Sequence, residues 1–212
     1  MKKSILMITM LMSLATITSM AQQVSDSRDK FIFGLKAGAN YSNVYDTQGE
    51  TFEANAKVGF AGGVFVALPI GKYIGIQPEV LFSQKGFKGT GTLLGSSYNI
   101  TRTTNFIDVP LLLSIKPWSR LNLLVGPQFS YLLKQTDTFS SYIISTQQIQ
   151  EFKNDNIRKN MLGFVAGFDV NLGHAVLGIR AGKDYLNNNG DGSSTTPRYK
   201  NMWLQGTVGF RF

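Results

Sequence analysis

The sequence predicts an all-β protein, an eight-stranded antiparallel up-and-down transmembrane β-barrel of the outer-membrane type. Three observations predict it. Eight segments alternate apolar and polar residues with a period of two, the connections between them are alternately short and long, and no segment beyond the N-terminal region could form a spanning helix. Period-two alternation places successive side chains on opposite faces of a strand. Strands that enter a bilayer must then close on themselves, because an open edge in lipid leaves backbone groups unpaired.

The first residues stand apart from this pattern. Met1-Lys2-Lys3 is basic, Ser4 to Ile17 is mostly apolar and uncharged, and Ser19 and Ala21 are small residues just before Gln22. This is the layout of a secretory signal peptide cleaved after Ala21. A membrane anchor is the alternative, but the apolar run falls short of the roughly 18 residues that a spanning helix requires. The expected organisation is a signal peptide at 1–21, a short periplasmic leader at 22–30 and the barrel domain at 31–212.

The first segment sets Phe31, Phe33, Leu35, Ala37, Ala39 and Tyr41 against Gly34, Lys36, Gly38, Asn40 and Ser42. The second sets Val58, Phe60, Val64, Val66 and Leu68 against Lys57, Gly59 and Gly63, and the third sets Ile74, Ile76, Val80 and Phe82 against Gln77, Glu79, Ser83 and Lys85. In the fourth, only the half from Ile107 to Lys116 has a clean phase, with Asp108, Pro110 and Ser114 on the polar side, while Tyr98 to Asn105 has none. The fifth runs from Leu121 to Lys134 and puts Asn122, Gly126, Gln128, Ser130 and Lys134 on the polar side. The sixth covers Leu162 to Leu172 with Asp169 and Asn171 polar, the seventh Ala175 to Asp184 with Arg180 and Asp184 polar, and the last Met202 to Phe212 with Gln205, Thr207 and Arg211 polar. Each fits the roughly 9–11 residues that a tilted strand needs to cross the hydrocarbon layer. Lys183 on an apolar face and Trp203 on a polar face break the pattern, and both are expected near the external rim or at a bulge.

Alternation alone does not say which face is outside, and a soluble lipocalin-like barrel would put the apolar face inside. The polar face is rich in glycine (Gly34, Gly38, Gly59, Gly63, Gly126, Gly163, Gly167, Gly178, Gly182 and Gly209) and poor in charge, which suits a crowded small lumen better than a solvated exterior. Short connections at Pro69–Lys72, Pro117–Arg120 and Gly173-His174 alternate with long polar ones, roughly 43–55, 86–101, 135–156 and 186–200. That is the pattern of periplasmic turns and external loops. The closing strand ends on Gly209-Phe210-Arg211-Phe212, and Phe210 and Phe212 are the expected C-terminal assembly signal.

The pieces FGLKAGANYS (33–42), GFAGGVFVALPIGKYIGIQPEVLFSQKG (59–86), FIDVPLLLSIKP (106–117), LLVGPQFSYLL (123–133) and GTVGFRF (206–212) resemble, in that order, the PorT-like family of outer-membrane β-barrel proteins. The resemblance covers essentially the whole chain after the leader. It implies a fold and a membrane and little about activity. One namesake is associated with protein secretion, a role for which no residue-level motif is matched here.

Composition excludes several chemistries. The chain has no cysteine, hence no disulfide, thiolate metal site or cysteine nucleophile. Its formal charge is +8, or +6 once Lys2 and Lys3 are removed, and the basic residues are scattered singly. That argues against nucleic acid and fits anionic lipid headgroups better. The one histidine, His174, sits in a short turn with no serine nearby, so a lipid-modifying Ser–His–acid enzyme is not expected. Asn187 to Gly192 imitates a calcium loop, but Asn187 replaces the acidic first ligand and Arg198 stands where the bidentate glutamate belongs. Gly89-Thr90-Gly91 lacks the lysine and helix of a phosphate cradle and is expected to be a flexible loop.

The coherent polar set is therefore the lumen-facing one: Lys36, Lys57, Glu79, Lys85, Asp108, Asp169, Arg180, Asp184 and Arg211. It is expected to pair within itself as a structural cluster, because an unpaired charge in a narrow interior is costly; lining a channel is the alternative. The resulting expectation is a monomeric, non-enzymatic barrel without cofactor or metal, with a structural or surface-interaction role through its external loops. Its expected partners are outer-membrane lipid, the barrel-insertion machinery and an unidentified extracellular or envelope partner. A narrow transport or secretion-associated pathway ranks second and a lipid-modifying enzyme third.

Overall fold

The computed structural model describes residues 28–45, 53–93, 96–141, 145–150, 158–188 and 199–212. Nine strands run through them: β1 (Ile32–Tyr45), β2 (Glu53–Pro69), β3 (Ile74–Leu93), β4 (Ser96–Trp118), β5 (Leu121–Ser141), β6 (Ser145–Gln150), β7 (Asn160–Leu172), β8 (Ala175–Asp184) and β9 (Lys200–Arg211). Eight of them close into an antiparallel barrel in the order β1–β2–β3–β4–β5–β7–β8–β9, and β9 returns to β1. β6 stands outside the ring and pairs with β5 from Gln135 to Ser140, beyond the stretch Leu121–Tyr131 that β5 shares with β7.

Both ends of the ring lie on the short-turn side. Ile32 pairs with Ala67 near the end of β2, and Gly34 pairs with Arg211 at the end of β9. Gly173 opens the two-residue turn between β7 and β8 with φ of 64°, a conformation that favours glycine.

The apolar face is the outer wall. Leu35, Tyr41, Phe60, Val80, Leu111, Leu123, Phe129, Leu177 and Leu204 are exposed, whereas Lys36, Asn40, Gln77, Glu79, Lys85, Asp108, Asp169, Arg180 and Gln205 are buried. A barrel folded for water would show the reverse, and an apolar surface this continuous is stable only against lipid.

Several expectations are corrected at the external end. The connections at 86–101 and 135–156 are not loops throughout: β3 runs on to Leu93, β4 begins at Ser96 and β5 reaches Ser141. Gly89-Thr90-Gly91 is accordingly strand, paired with Ile100, Asn99 and Tyr98. These extensions escaped the periodicity because they rise past the hydrocarbon layer, where neither face has to be apolar. The fourth segment loses its phase for the same reason, and because Phe106 is buried in the lumen. Across β4 and β5 the register shifts between Asn105 and Phe106, leaving Leu133 as an extra residue in β5. Such a bulge inverts the faces beyond it, so Gln135 is buried and Lys134, expected inside, is exposed.

Trp203 keeps its lumen phase and lies neither at the external interface nor at a bulge. It is 5% exposed and pairs in unbroken register with Gly182. A Cβ on residue 182 would stand 2.3 Å from the indole ring, so the glycine makes the space that the tryptophan fills. Lys183 does face outward, with its ammonium 4.1 Å from the centre of the Tyr45 ring. The signal peptide, most of the leader and residues 189–198 of the calcium-like segment lie outside the described residues.

Candidate functional site

The lumen is where the strands bring charged side chains together, and it fills in layers. Nearest the periplasm, Lys116 Nζ donates to the carbonyl of Arg28 (2.7 Å) and Ser114 Oγ donates to Asn122 Oδ1 (2.7 Å). Asn122 Nδ2 in turn donates to Gln77 Oε1 (3.1 Å).

Above this lies a quartet of charges. Lys36 Nζ is 2.7 Å from Glu79 Oε1, Arg180 Nη1 is 2.9 Å from Glu79 Oε2, and Arg180 Nη2 is 2.9 Å from Asp169 Oδ2. Gln77 Nε2 also donates to Glu79 (2.9 Å) and Asp169 (3.3 Å). All four charged side chains are buried. Two cations face two carboxylates with short contacts, the condition under which buried charges are tolerated. The quartet joins β1, β3, β7 and β8, so it spans the barrel rather than bridging neighbouring strands alone.

Beside the quartet, Leu112, Leu124, Val165 and Trp203 form one buried apolar cluster. On its external side Lys85 Nζ contacts Asp108 at 2.9 Å and lies 3.7 Å from the centre of the Trp203 ring and 5.0 Å from that of Phe106. The aromatic faces add cation–π attraction to the ion pair. Asn40, Ser83 and Gln205 complete this level, with Gln205 Nε2 donating to Asn40 Oδ1 (2.9 Å) and Asn40 Nδ2 to Ser83 Oγ (2.8 Å).

At the external mouth Arg102 grips Asp137 with two parallel hydrogen bonds, Nε to Oδ1 at 2.6 Å and Nη2 to Oδ2 at 2.7 Å, and a third guanidinium nitrogen donates to the Tyr199 hydroxyl. Burial raises the Tyr199 phenol above its ordinary pKa, so it accepts this bond as a neutral hydroxyl. Phe87 packs edge-on against Tyr199, with ring centroids 5.3 Å apart.

Of the residues singled out in the sequence, Lys36, Glu79, Asp169 and Arg180 meet in one network and Lys85 and Asp108 in a second. Asp184 is buried apart from the quartet and accepts from Asn201 Nδ2 (2.7 Å). Lys57 is half-exposed beside the irregularity between Ala56 and Ala61 and makes no ion pair among the described residues. Arg211 lies at the opposite rim, its Nε donating to the Gly173 carbonyl. His174 is exposed in its turn and hydrogen-bonds the Arg211 carbonyl through Nδ1 (2.8 Å). Phe210 and Phe212 face outward with ring centroids 5.1 Å apart, and the Phe212 N–H donates to the Phe33 carbonyl (2.8 Å). Sequence reasoning missed Arg102 and Asp137. They sit directly opposite each other on β4 and β5, but the extra residue at Leu133 shifts the register by one below them, so extending the lower hairpin in phase would set Arg102 opposite Thr136.

A closed ring of eight strands with a lipid-compatible wall and an ion-paired, side-chain-filled interior defines an integral outer-membrane barrel. The chain belongs to the outer membrane protein beta-barrel domain family, whose model matches residues 20–185, and its place is the outer membrane. No curated protein sequence matches it. Among solved structures it is similar to Ail, the attachment invasion locus protein of Yersinia pestis, in complex with the heparin analogue sucrose octasulfate. That match has 14% identity and a TM-score of 0.51, covering 86% of this chain and 99% of that one. Neisserial surface protein A matches at 12% identity and a TM-score of 0.48, covering 85% of this chain and 97% of that one. At these identities the likeness to Ail is one of fold.

Proposed function

We propose that the protein is a closed, non-enzymatic barrel that acts through the surface its external hairpins present, with the lumen cluster serving as a structural plug. The observation that carries this reading is the filling of the interior by a charge-balanced quartet, by the buried side chains of Leu112, Leu124, Val165 and Trp203, and by Lys85 with Asp108. An ion crossing this interior would have to separate short, buried ion pairs and displace buried apolar side chains. The cavity near the periplasmic end, beside Gln77, Asn122 and Lys116, is about 30 Å³, room for about one water molecule.

Purified monomer in planar bilayers is expected to give at most brief, small openings; steady porin-like conductance would promote transport over plugging. For the surface role, the whole barrel serves as bait on outer-membrane extracts beside a form with residues 88–101 replaced by a tight turn. Envelope proteins held by the first and lost by the second support the role, and identical capture by both refutes it for this hairpin.

A further inference from the structure

The outer wall carries a built groove near its external end. Two adjacent cross-strand rows face outward there, Asn43–Met202–Lys183–Phe164 and Tyr41–Leu204–Ala181–Ala166, running across β1, β9, β8 and β7. Ala166 and Ala181 sit side by side as a low floor, while Tyr41, Phe164 and Leu204 rise around it. The hollow measures about 800 Å³, within the roughly 300–1,000 Å³ typical of small-molecule sites. Across β3, β4 and β5 the outward rows are bulky instead, as in Phe82–Ile107–Tyr131.

Charge tells what fits it. The carboxylates Glu79, Asp108, Asp137, Asp169 and Asp184 are all buried in the lumen, while Lys88, Lys134 and Lys183 are exposed on the outside of the external end. Lys183 lines the groove, and Lys200 follows on β9 opposite Tyr45. An apolar trough ending in a lysine at headgroup height matches a lipid with an acyl chain and an anionic head. A second copy of the chain fits worse, because a two-fold contact through these rows would bring the Lys183 side chains of both copies together with no carboxylate among the described residues of the two rows.

We propose that this groove is a binding site for a phosphorylated anionic lipid of the outer leaflet, one acyl chain lying over Ala166 and Ala181 and a phosphate on the Lys183 ammonium. The site does not depend on the plugged lumen or on the external hairpins, so it stands or falls separately from the surface role.

The full barrel, refolded in detergent, is mixed with lipid A or with a zwitterionic phosphatidylcholine and examined by native mass spectrometry for retained lipid. The native protein is expected to hold one lipid A in preference to phosphatidylcholine by about fivefold. Lys183→Gln should remove the preference and keep the residual apolar binding; Ala181→Phe should lower retention of both lipids. Heat-modified gel mobility verifies that each variant has closed its barrel. Equal retention of the two lipids by the native protein, an unchanged preference in Lys183→Gln, or a protein dimer in place of the lipid adduct would overturn the site.

Discussion

Lys36 and Lys57 look alike in the sequence, since each is a lysine on the polar side of an alternating strand. In the fold they occupy two different worlds. Lys36 is enclosed midway up the barrel beside Glu79, whereas Lys57 stands half-exposed at the external end without an ion pair among the described residues. Height along the barrel axis separates them. Inside the hydrocarbon zone each strand has one face toward lipid and one toward a side-chain-filled interior, where an unpaired charge is costly. Above it, the strands are held by backbone pairing with local contacts such as Arg102–Asp137, and a lysine can find water.

The comparison is sharpest at Glu79, the carboxylate that both Lys36 and Arg180 contact. Glu79→Gln should cost about 3–5 kcal/mol, because two buried cations lose their shared counter-charge; a urea titration of protein refolded into phospholipid vesicles measures it. A loss below about 1 kcal/mol would mean that the quartet is hydrated and the two regions do not differ. The contrast between faces within the membrane zone comes next. Val125→Arg on the outer wall should cost about 2–4 kcal/mol near the midplane. Gln128→Arg should cost less, since residue 128 lies opposite Gly163, and there Asp184 keeps a buried carboxylate oxygen without a partner. Equal losses in the same titration would reverse the assignment of inside and outside. The smallest effect belongs to Lys57→Gln, within about 0.5 kcal/mol, and a larger loss would place that lysine in a network of its own.

The same boundary decided what could be read in advance. The ring of eight, the short-turn side and most lumen residues were legible because lipid outside and packing inside impose opposite demands on alternate residues. Arg102, Asp137 and the upper halves of β3, β4 and β5 were not, since strands standing in water need no alternation. Lys134 was misplaced by a single extra residue at Leu133, which inverts a strand and leaves no trace in composition. Trp203, an aromatic residue in a polar phase, reads in sequence as an interface anchor or a bulge, and only the strand pairing reveals the Gly182 that leaves room for its ring inside.

The seam between β1 and β9 joins the two ends of the described chain, with Gly34 meeting Arg211. Of all strand pairings it spans the most sequence, so loop-closure entropy makes it the slowest to form. The quartet crosses that seam, because Lys36 belongs to β1 and Arg180 to β8. An open sheet already holds Lys36 near Glu79 on one side of the seam and Arg180 near Asp169 on the other, and only the contact of Arg180 with Glu79 waits for the last strands to meet. Closure therefore links two separate ion pairs into one buried network. Opening the finished barrel must break backbone pairs and ion pairs together, so the folded protein is held by a slow exit as much as by a deep minimum.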